Sequence, residues 1–137
     1  MKNHKFPTPM TPISWGELID KITILEIKQE NIRSVQALAN VRRELNALSA
    51  IVDRQNGLSN LINDPRQQLH RINRKLWKVE DDIRDKERKS QFDSEFIALA
   101  RSVYRLNDER AKIKRLINQI LDSELAEEKS YADFQIT

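Results

Sequence analysis

Arg110 is the residue whose position most directly suggests a functional site. Apolar residues recur at every third or fourth position on both sides of it, from Phe96 to Ile120, so a hydrophobic residue is expected at position 110. A guanidinium among apolar side chains must pair with a carboxylate, reach water or bind an anion. Arg110 therefore predicts either an internal ion pair that sets the register of the helices or a site for an anionic ligand.

Polar and aromatic residues are predicted to surround Arg110 in a helical hairpin. Asn73 is expected to face Asn107, and the helix opposite Arg110 offers no carboxylate within a turn. The partner must then come from elsewhere, and the candidates are an anionic ligand or Glu17, Asp20, Glu26, Glu127 or Glu128. The predicted ligand-binding set is Glu17, Lys21, Asn73, Trp77, Glu80, Tyr104, Asn107, Arg110 and Lys114.

The stretch DDIRD, residues 81–85, has the Asp-Asp-x-x-Asp spacing of magnesium-diphosphate sites. Magnesium needs several oxygen ligands that converge in a shaped cavity. Here Asp81 and Asp85 are predicted to face solvent, and no second acidic cluster faces them. We interpret the stretch as a solvated helix surface.

Other chemical motifs are sparse. His4 and His70 have no partner at ligand spacing, and there is no cysteine and no glycine-rich phosphate loop. No metal and no cofactor is predicted. General acid or base roles for Glu17, Glu80 or Tyr104 rest on position alone, so the sequence favours a binding or scaffold protein over an enzyme.

Composition favours one all-helical domain. The 137 residues are 39% hydrophobic and 33% charged, with only two glycines and four prolines. The lack of cysteine fits a reducing compartment, and no segment approaches the length of a membrane span. A soluble cytoplasmic protein without membrane insertion is expected.

Capping signals divide the chain into four helices. Residues 1–12 are predicted to form an extended arm because they contain three prolines. Ser14 and Glu17 form a capping box before a first helix at Trp15, and Ser34 can cap the second. Gly57 is a candidate cap at the end of that helix, Asp64-Pro65 starts the third after a loop over 57–64, and Asp93 starts the fourth, roughly 94–122.

Apolar positions predict how these helices pair. If the third and fourth helices fold back on each other at a turn near residue 91, their apolar residues face each other in pairs. These pairs are Ile83 with Leu99, Val79 with Val103, Leu76 with Leu106 and Leu69 with Ile113. Helices 1 and 2 match in the same way, with Ile22 facing Leu45. The predicted fold is all-α: two antiparallel helical hairpins form a four-helix bundle over 13–122, and the second hairpin is coiled-coil-like.

Apolar surface beyond these pairings predicts further contacts. A second copy could bury it, so a homodimer is expected. The tail, residues 123–137, is expected to dock through Tyr131, Phe134 and Ile136 or to stay loose.

Charge is uneven along the second hairpin. One end is basic and the other acidic, and opposite charges such as Lys75 with Glu109 and Lys89 with Glu95 are predicted to face each other along one flank. The basic end contains Arg66, Arg71, Arg74, Lys75, Lys78, Arg105, Arg110, Lys112, Lys114 and Arg115. It could bind RNA or DNA phosphates or let molecules pack head to tail. Glycine-rich loops and exposed aromatic residues between the basic ones are missing from the pattern, so a dipolar, solvated surface is preferred to nucleic-acid binding.

The stretches SWGELIDKITILEIK, ANVRREL, LWKVEDDIRDKE, FDSEFIALARSVYRLNDERAKIKRLIN and EEKSY resemble a family of short uncharacterised bacterial helical proteins. The resemblance spans about residues 13–131. It implies an accessory role beside glycosyltransferase and tetratricopeptide-repeat proteins of cell-surface polysaccharide synthesis, with a glycosyltransferase-type partner. It assigns no catalytic residue. The alternatives are a small-anion binder or enzyme that uses Arg110, for instance for a nucleotide sugar or phosphate, and a nucleic-acid binder.

Overall fold

The computed structural model describes residues 5–128, and all regular secondary structure in this range is helical. The helices are α1 (Trp15–Asn31), α2 (Val35–Asp53), the one-turn α3 (Leu58–Leu61), α4 (Asn63–Arg88) and α5 (Ser94–Ile120). The predicted all-α fold is confirmed. None of these helices combines the length and the apolar character needed to span a membrane. The predicted docking residues Tyr131, Phe134 and Ile136 lie outside the described range, and the division into arm, bundle and tail stays a prediction.

Local capping explains where three of the long helices begin. In each case the side-chain oxygen of the cap accepts a hydrogen bond from the amide three residues later: Ser14 from Glu17 at 3.1 Å, Ser34 from Ala37 at 3.3 Å, and Asp93 from Phe96 at 3.0 Å. The predicted starts of these helices are therefore confirmed.

The connection between α2 and α4 differs from the prediction. Gly57, with φ +80°, does not cap α2, which ends at Asp53 with Arg54 as its C-cap, but directly precedes α3. The expected loop contains α3, and α4 begins at Asn63, so Asp64 lies inside its first turn. The physical reason is burial, since Leu58 is 8% exposed and Ile62 is fully buried. Packing these two side chains under the bundle folds the segment into helical turns.

The core lies where α1 meets the other long helices. Buried apolar residues from α1, α2, the α3 region, α4 and α5 form one cluster: Leu18, Ile19, Ile22, Val52, Leu58, Ile62, Leu69, Ile72, Ile113 and Ile117. Because α1 packs against α2, α4 and α5, it has to be apolar on several sides.

The α4/α5 hairpin brings some of the positions that were predicted to face each other to one place, where Ile72 and Lys75 line a surface groove together with Glu109 and Ile113. Lys75 and Glu109 form no ion pair within residues 5–128. The prediction of a Lys89 to Glu95 pair is wrong. Lys86 contacts Glu95 at 2.9 Å, whereas Lys89 pairs with Asp85 at 3.0 Å. Lys89 caps the end of α4, so its side chain remains beside its own helix.

The central helix covers only part of this hairpin. With 17 residues α1 is about 26 Å long, whereas α4 and α5, with 26 and 27 residues, are about 39 and 40 Å long. Beyond the covered part, apolar residues of the hairpin such as Val79, Ile83 and Leu99 are only half-buried. We call residues 79–102 the distal hairpin.

Candidate functional site

Asp20 is the partner of Arg110. Its side chain is fully buried, and Arg110 binds both of its oxygens, with Nε donating to Oδ1 at 2.9 Å and Nη2 donating to Oδ2. Nδ2 of Asn73 also donates to Oδ1 at 2.9 Å. Such two-point, charge-assisted contacts are among the strongest hydrogen bonds in proteins. Among the predicted candidates, α1 therefore supplies the carboxylate that Arg110 needs.

Neighbouring polar groups complete this buried network. Asn73 donates to Oγ1 of Thr23 at 2.9 Å, and Thr23 donates to the Asp20 carbonyl at 2.8 Å. Arg110 Nη1 donates to Oδ1 of Asn107 at 3.4 Å. Within residues 5–128 no buried side-chain nitrogen or oxygen lacks a partner. The network thus offsets the desolvation of its charges.

Lys114 forms the second half of the site. It is 7% exposed, and its Nζ lies 2.6 Å from Glu17, 2.6 Å from Glu127 and 4.0 Å from Asp20. We call Glu17, Asp20, Arg110, Lys114 and Glu127 the Asp20 cluster. Two cations face three carboxylates in it, so the cluster carries a formal charge of −1 and does not attract a further anion.

Proton equilibria in the cluster follow from these contacts. Burial lowers the pKa of Lys114, but hydrogen bonds to Glu127 and Glu17 and the charge of Asp20 outweigh burial, and the pKa is raised from its usual 10.5. The pKa of Arg110 is raised mainly by its hydrogen bonds to Asp20. Both groups therefore remain charged at neutral pH.

The raised pKa of Lys114 predicts a stability effect at alkaline pH. A group whose pKa is higher in the folded state stabilises it fully below the unfolded pKa, and this contribution disappears as pH rises through the folded pKa. We expect Lys114→Met to be less stable than the wild type at pH 8, with a difference in free energy of unfolding that shrinks above about pH 10.5. Urea denaturation at several pH values measures this difference.

The exposed ion pair of Lys78 with Asp82 provides the control. Lys78→Met should differ little from the wild type at every pH. A Lys114→Met difference of equal size at pH 8 and at about pH 11.5 would contradict a raised pKa.

The first turn of α1 is held by the C-terminal end of α5. The Gly16 amide donates to Oδ1 of Asn118 at 2.7 Å, and the Trp15 amide donates to Oγ of Ser123 at 3.2 Å. A Cβ atom on Gly16 would lie 2.4 Å from the Lys114 carbonyl oxygen, so only glycine permits this approach. These amide contacts place α1 close enough to α5 for Asp20 to reach Arg110.

The sequence analysis missed the roles of Gly16, Thr23, Asn118 and Ser123. The sequence did contain a signal for Asn118. Polar residues follow one another on α5 with spacings of three, four and four residues, at Asn107, Arg110, Lys114 and Asn118. Residues at this spacing lie on one face of a helix. This polar stripe is the face of α5 that α1 contacts.

A groove adjoins the cluster where α1 passes from α5 to α4. The first half of α1 contacts α5 through Asp20, whereas Glu26 and Glu30 in its second half pair with Arg66 and Arg74 of α4. The space left beside α5 has a volume of about 510 Å³. Its lining residues are Ile24, Ile27, Asn73, Leu76, Trp77, Glu80, Asp81, Arg84, Val103, Asn107 and Arg110. We call this space the groove.

Five predicted site residues come together in the groove: Asn73, Trp77, Glu80, Asn107 and Arg110. Glu17 and Lys114 contact each other in the Asp20 cluster. Lys21 and Tyr104 are exposed and do not line the groove. The predicted set thus divides into a groove, an ion-pair cluster and two surface residues.

Two of the three carboxylates of the DDIRD stretch are paired with cations on the helix surface. Between residues 5 and 128 no three His, Cys, Asp or Glu side chains are grouped to hold a metal ion. In the DDIRD stretch, Asp82 pairs with Lys78, and Asp85 pairs with Arg88 and Lys89. These carboxylates belong to surface ion pairs.

A family model described as a family of unknown function (DUF6165) matches residues 10–137. The chain belongs to this family. No curated protein and no solved structure matches the chain. The DUF6165 match includes all five helices, the groove and the Asp20 cluster, and it attaches no activity to them.

Proposed function

We propose that this DUF6165 domain is a binding module whose groove holds an amphipathic helix from a protein partner. The observation that carries the proposal is the groove, an open channel between three helices with the half-buried Trp77 among its lining residues. Grooves between helices bind such segments through apolar side chains spaced three or four residues apart. Tryptophan is among the residues that contribute most to binding energy at protein interfaces.

The lining of the groove suits an amphipathic segment. Ile24 and Ile27 of α1, Leu76 of α4 and Val103 of α5 supply apolar surface, and the amides of Asn73 and Asn107 lie at the end near Arg110. Pockets with apolar walls and a few polar groups bind ligands by burial and orient them by hydrogen bonds. The combination therefore favours a partner with one apolar face and a polar end.

A small anion is a weaker candidate for the groove. The guanidinium of Arg110 already binds both oxygens of Asp20, and Arg84 pairs with Glu80 at 3.4 Å. An anion that took Arg110 would leave Asp20, which is fully buried, without its cation. Breaking a buried pair in this way costs about 3–5 kcal/mol, which the anion would have to offset.

The family resemblance supplies the class of partner. We infer that the domain is accessory to bacterial cell-surface polysaccharide synthesis in the cytoplasm and that the partner is of glycosyltransferase type. A homodimer belongs to the same proposal, because the half-buried apolar residues of the distal hairpin could pack in a coiled-coil-like manner against a second copy.

Trp77→Ala tests the groove. We expect affinity purification of the tagged wild-type protein to enrich a glycosyltransferase-type protein, and Trp77→Ala to reduce its recovery at least about tenfold, since truncation of an interface tryptophan commonly costs 2 kcal/mol or more. Quantitative mass spectrometry of the bound fraction measures recovery. Circular dichroism checks that the variant remains helical.

Phe92→Ala is the matched control, because Phe92 is an exposed aromatic residue in the turn between α4 and α5 and does not line the groove. It should retain the partner at the wild-type level. Equal recovery with Trp77→Ala and the wild type, or equal loss in both variants, would show that the groove does not hold the partner.

A further inference from the structure

The cations of the α4/α5 hairpin form two groups. From Lys78 to Lys89 at the end of α4 the cations are paired with carboxylates, as in the pairs of Lys78 with Asp82 and Lys86 with Asp93. Six exposed cations elsewhere on the hairpin form no ion pair with a carboxylate of residues 5–128: Arg71, Lys75, Arg101, Arg105, Lys112 and Arg115. We call these six residues the basic face.

The members of the basic face lie close together. On α5 the spacing of Arg101, Arg105, Lys112 and Arg115 is four, seven and three residues, which places them on one side of the helix over about 21 Å. Arg71 and Lys75 of α4 line a shallow groove of about 320 Å³ with Lys112. The carboxylates of Asp108 and Glu109 lie within the same stretch of α5, so six cations against two carboxylates leave a local formal charge of +4.

An exposed aromatic residue adjoins these cations. Tyr104 is 40% exposed, and its pKa is lowered by a hydrogen bond with Arg101 and by the nearby charge of Arg105. Arg101 precedes Tyr104 by about one turn of α5 and Arg105 follows it directly, so the exposed ring has an arginine on either side of it along the helix. The sequence analysis placed Tyr104 in the predicted ligand-binding set around Arg110 and not with the basic residues.

The arrangement suits a polyanion better than a single phosphate. The six cations are all on the surface, and exposed charges contribute little individually. Along a nucleic-acid backbone their effects add, because each neutralised phosphate releases counterions. Exposed aromatic rings additionally stack on unpaired bases.

We infer that the basic face binds single-stranded nucleic acid, with its cations on successive phosphates and the Tyr104 ring against a base. This inference does not depend on the groove, since none of the seven residues lines it. It makes the domain capable of holding a nucleic acid and a protein partner at the same time.

Fluorescence anisotropy with a labelled 12-nucleotide oligo(dT) tests the inference. We expect log Kd to rise with log salt with a slope of about 3–4, from about 0.7 per phosphate contacted on a single strand. The double variant Arg105→Gln with Lys112→Gln should weaken binding at least about tenfold at low salt and lower the slope by about 1.4. The double variant Lys78→Gln with Arg88→Gln changes the net charge equally at two ion-paired cations of α4 and should bind within about twofold of the wild type.

Tyr104→Leu tests whether binding depends on unpaired bases or only on the negative charge of the ligand. It should weaken oligo(dT) binding at least about fivefold, since a stacking partner is lost, and should leave the binding of heparin, which has no bases, unchanged. The inference is overturned by a flat salt response, by equal loss in the two double variants, or by oligo(dT) binding that is insensitive to Tyr104→Leu. All these side chains are exposed, so circular dichroism should show an unchanged fold.

Discussion

Asp20→Asn is expected to lower the free energy of unfolding by about 3–5 kcal/mol, the usual cost of removing one partner from a buried ion pair. The wild-type carboxylate accepts hydrogen bonds from Arg110 and Asn73, and an amide at position 20 would offer a single acceptor oxygen to both. Urea denaturation followed by circular dichroism measures the loss. Since domains are stable by only about 5–15 kcal/mol, one substitution would remove a large part of the total.

The pair of Glu30 with Arg74 provides the control for this experiment. It joins the same two helices as Asn73 and Asp20, but both side chains are more than half exposed. Glu30→Gln should cost less than about 1 kcal/mol. Equal effects of Glu30→Gln and Asp20→Asn would show that the Asp20 cluster does not hold α1 in place.

A double-mutant cycle measures the coupling itself. Arg110→Met alone leaves Asp20 buried without its cation and should also cost several kcal/mol, about 3–5. Combining Arg110→Met with Asp20→Asn removes both charges, so the double variant should lose clearly less than the sum of the two single variants. Additive losses would mean that the two side chains do not stabilise each other.

Gly16→Ala is expected to destabilise the protein, although alanine normally stabilises a helix relative to glycine by up to about 1 kcal/mol. The new Cβ would lie 2.4 Å from the Lys114 carbonyl oxygen and 3.0 Å from Asn118 Oδ1. The carbonyl belongs to α5, so α1 would have to move away from that helix. We expect a loss of about 3 kcal/mol, at the upper end for overpacked sites, and a melting temperature roughly 10 °C lower.

Gly57→Ala is the comparison for Gly16→Ala. A Cβ on Gly57 meets no atom within 4 Å, but φ is +80°, so the cost is backbone strain of about 1–2 kcal/mol. Thermal unfolding followed by circular dichroism ranks the two variants. A melting temperature for Gly16→Ala at or above the wild-type value would disprove the close approach of α1 and α5.

Local sequence signals predicted much of the fold. Ser14, Ser34 and Asp93 mark helix starts because a capping side chain bonds an amide only three residues away, and no tertiary information is needed. Apolar periodicity likewise predicted that the chain is all helical. The α3 turn escaped prediction because its cause, the burial of Leu58 and Ile62 under the other helices, is tertiary.

The candidate site was only partly predictable for a related reason. The sequence around Arg110 predicts that its partner comes from outside the α4/α5 hairpin, but five carboxylates were candidates for that partner. The choice of Asp20 depends on how closely α1 approaches α5, and Gly16 and Asn118 set that distance. The groove depends on the path of α1 across the hairpin, which the pattern of a single helix does not contain.

The contacts of α1 with the far end of α5 have a consequence for biosynthesis. The helices of each hairpin are neighbours in sequence, whereas Gly16 and Trp15 bond to residues 102 and 108 positions later. Contacts of such long separation form late, and chains emerge from the ribosome N-terminus first. Of the five described helices, α1 is therefore the first to be synthesised, and its contacts with α5 form only after translation has passed residue 123.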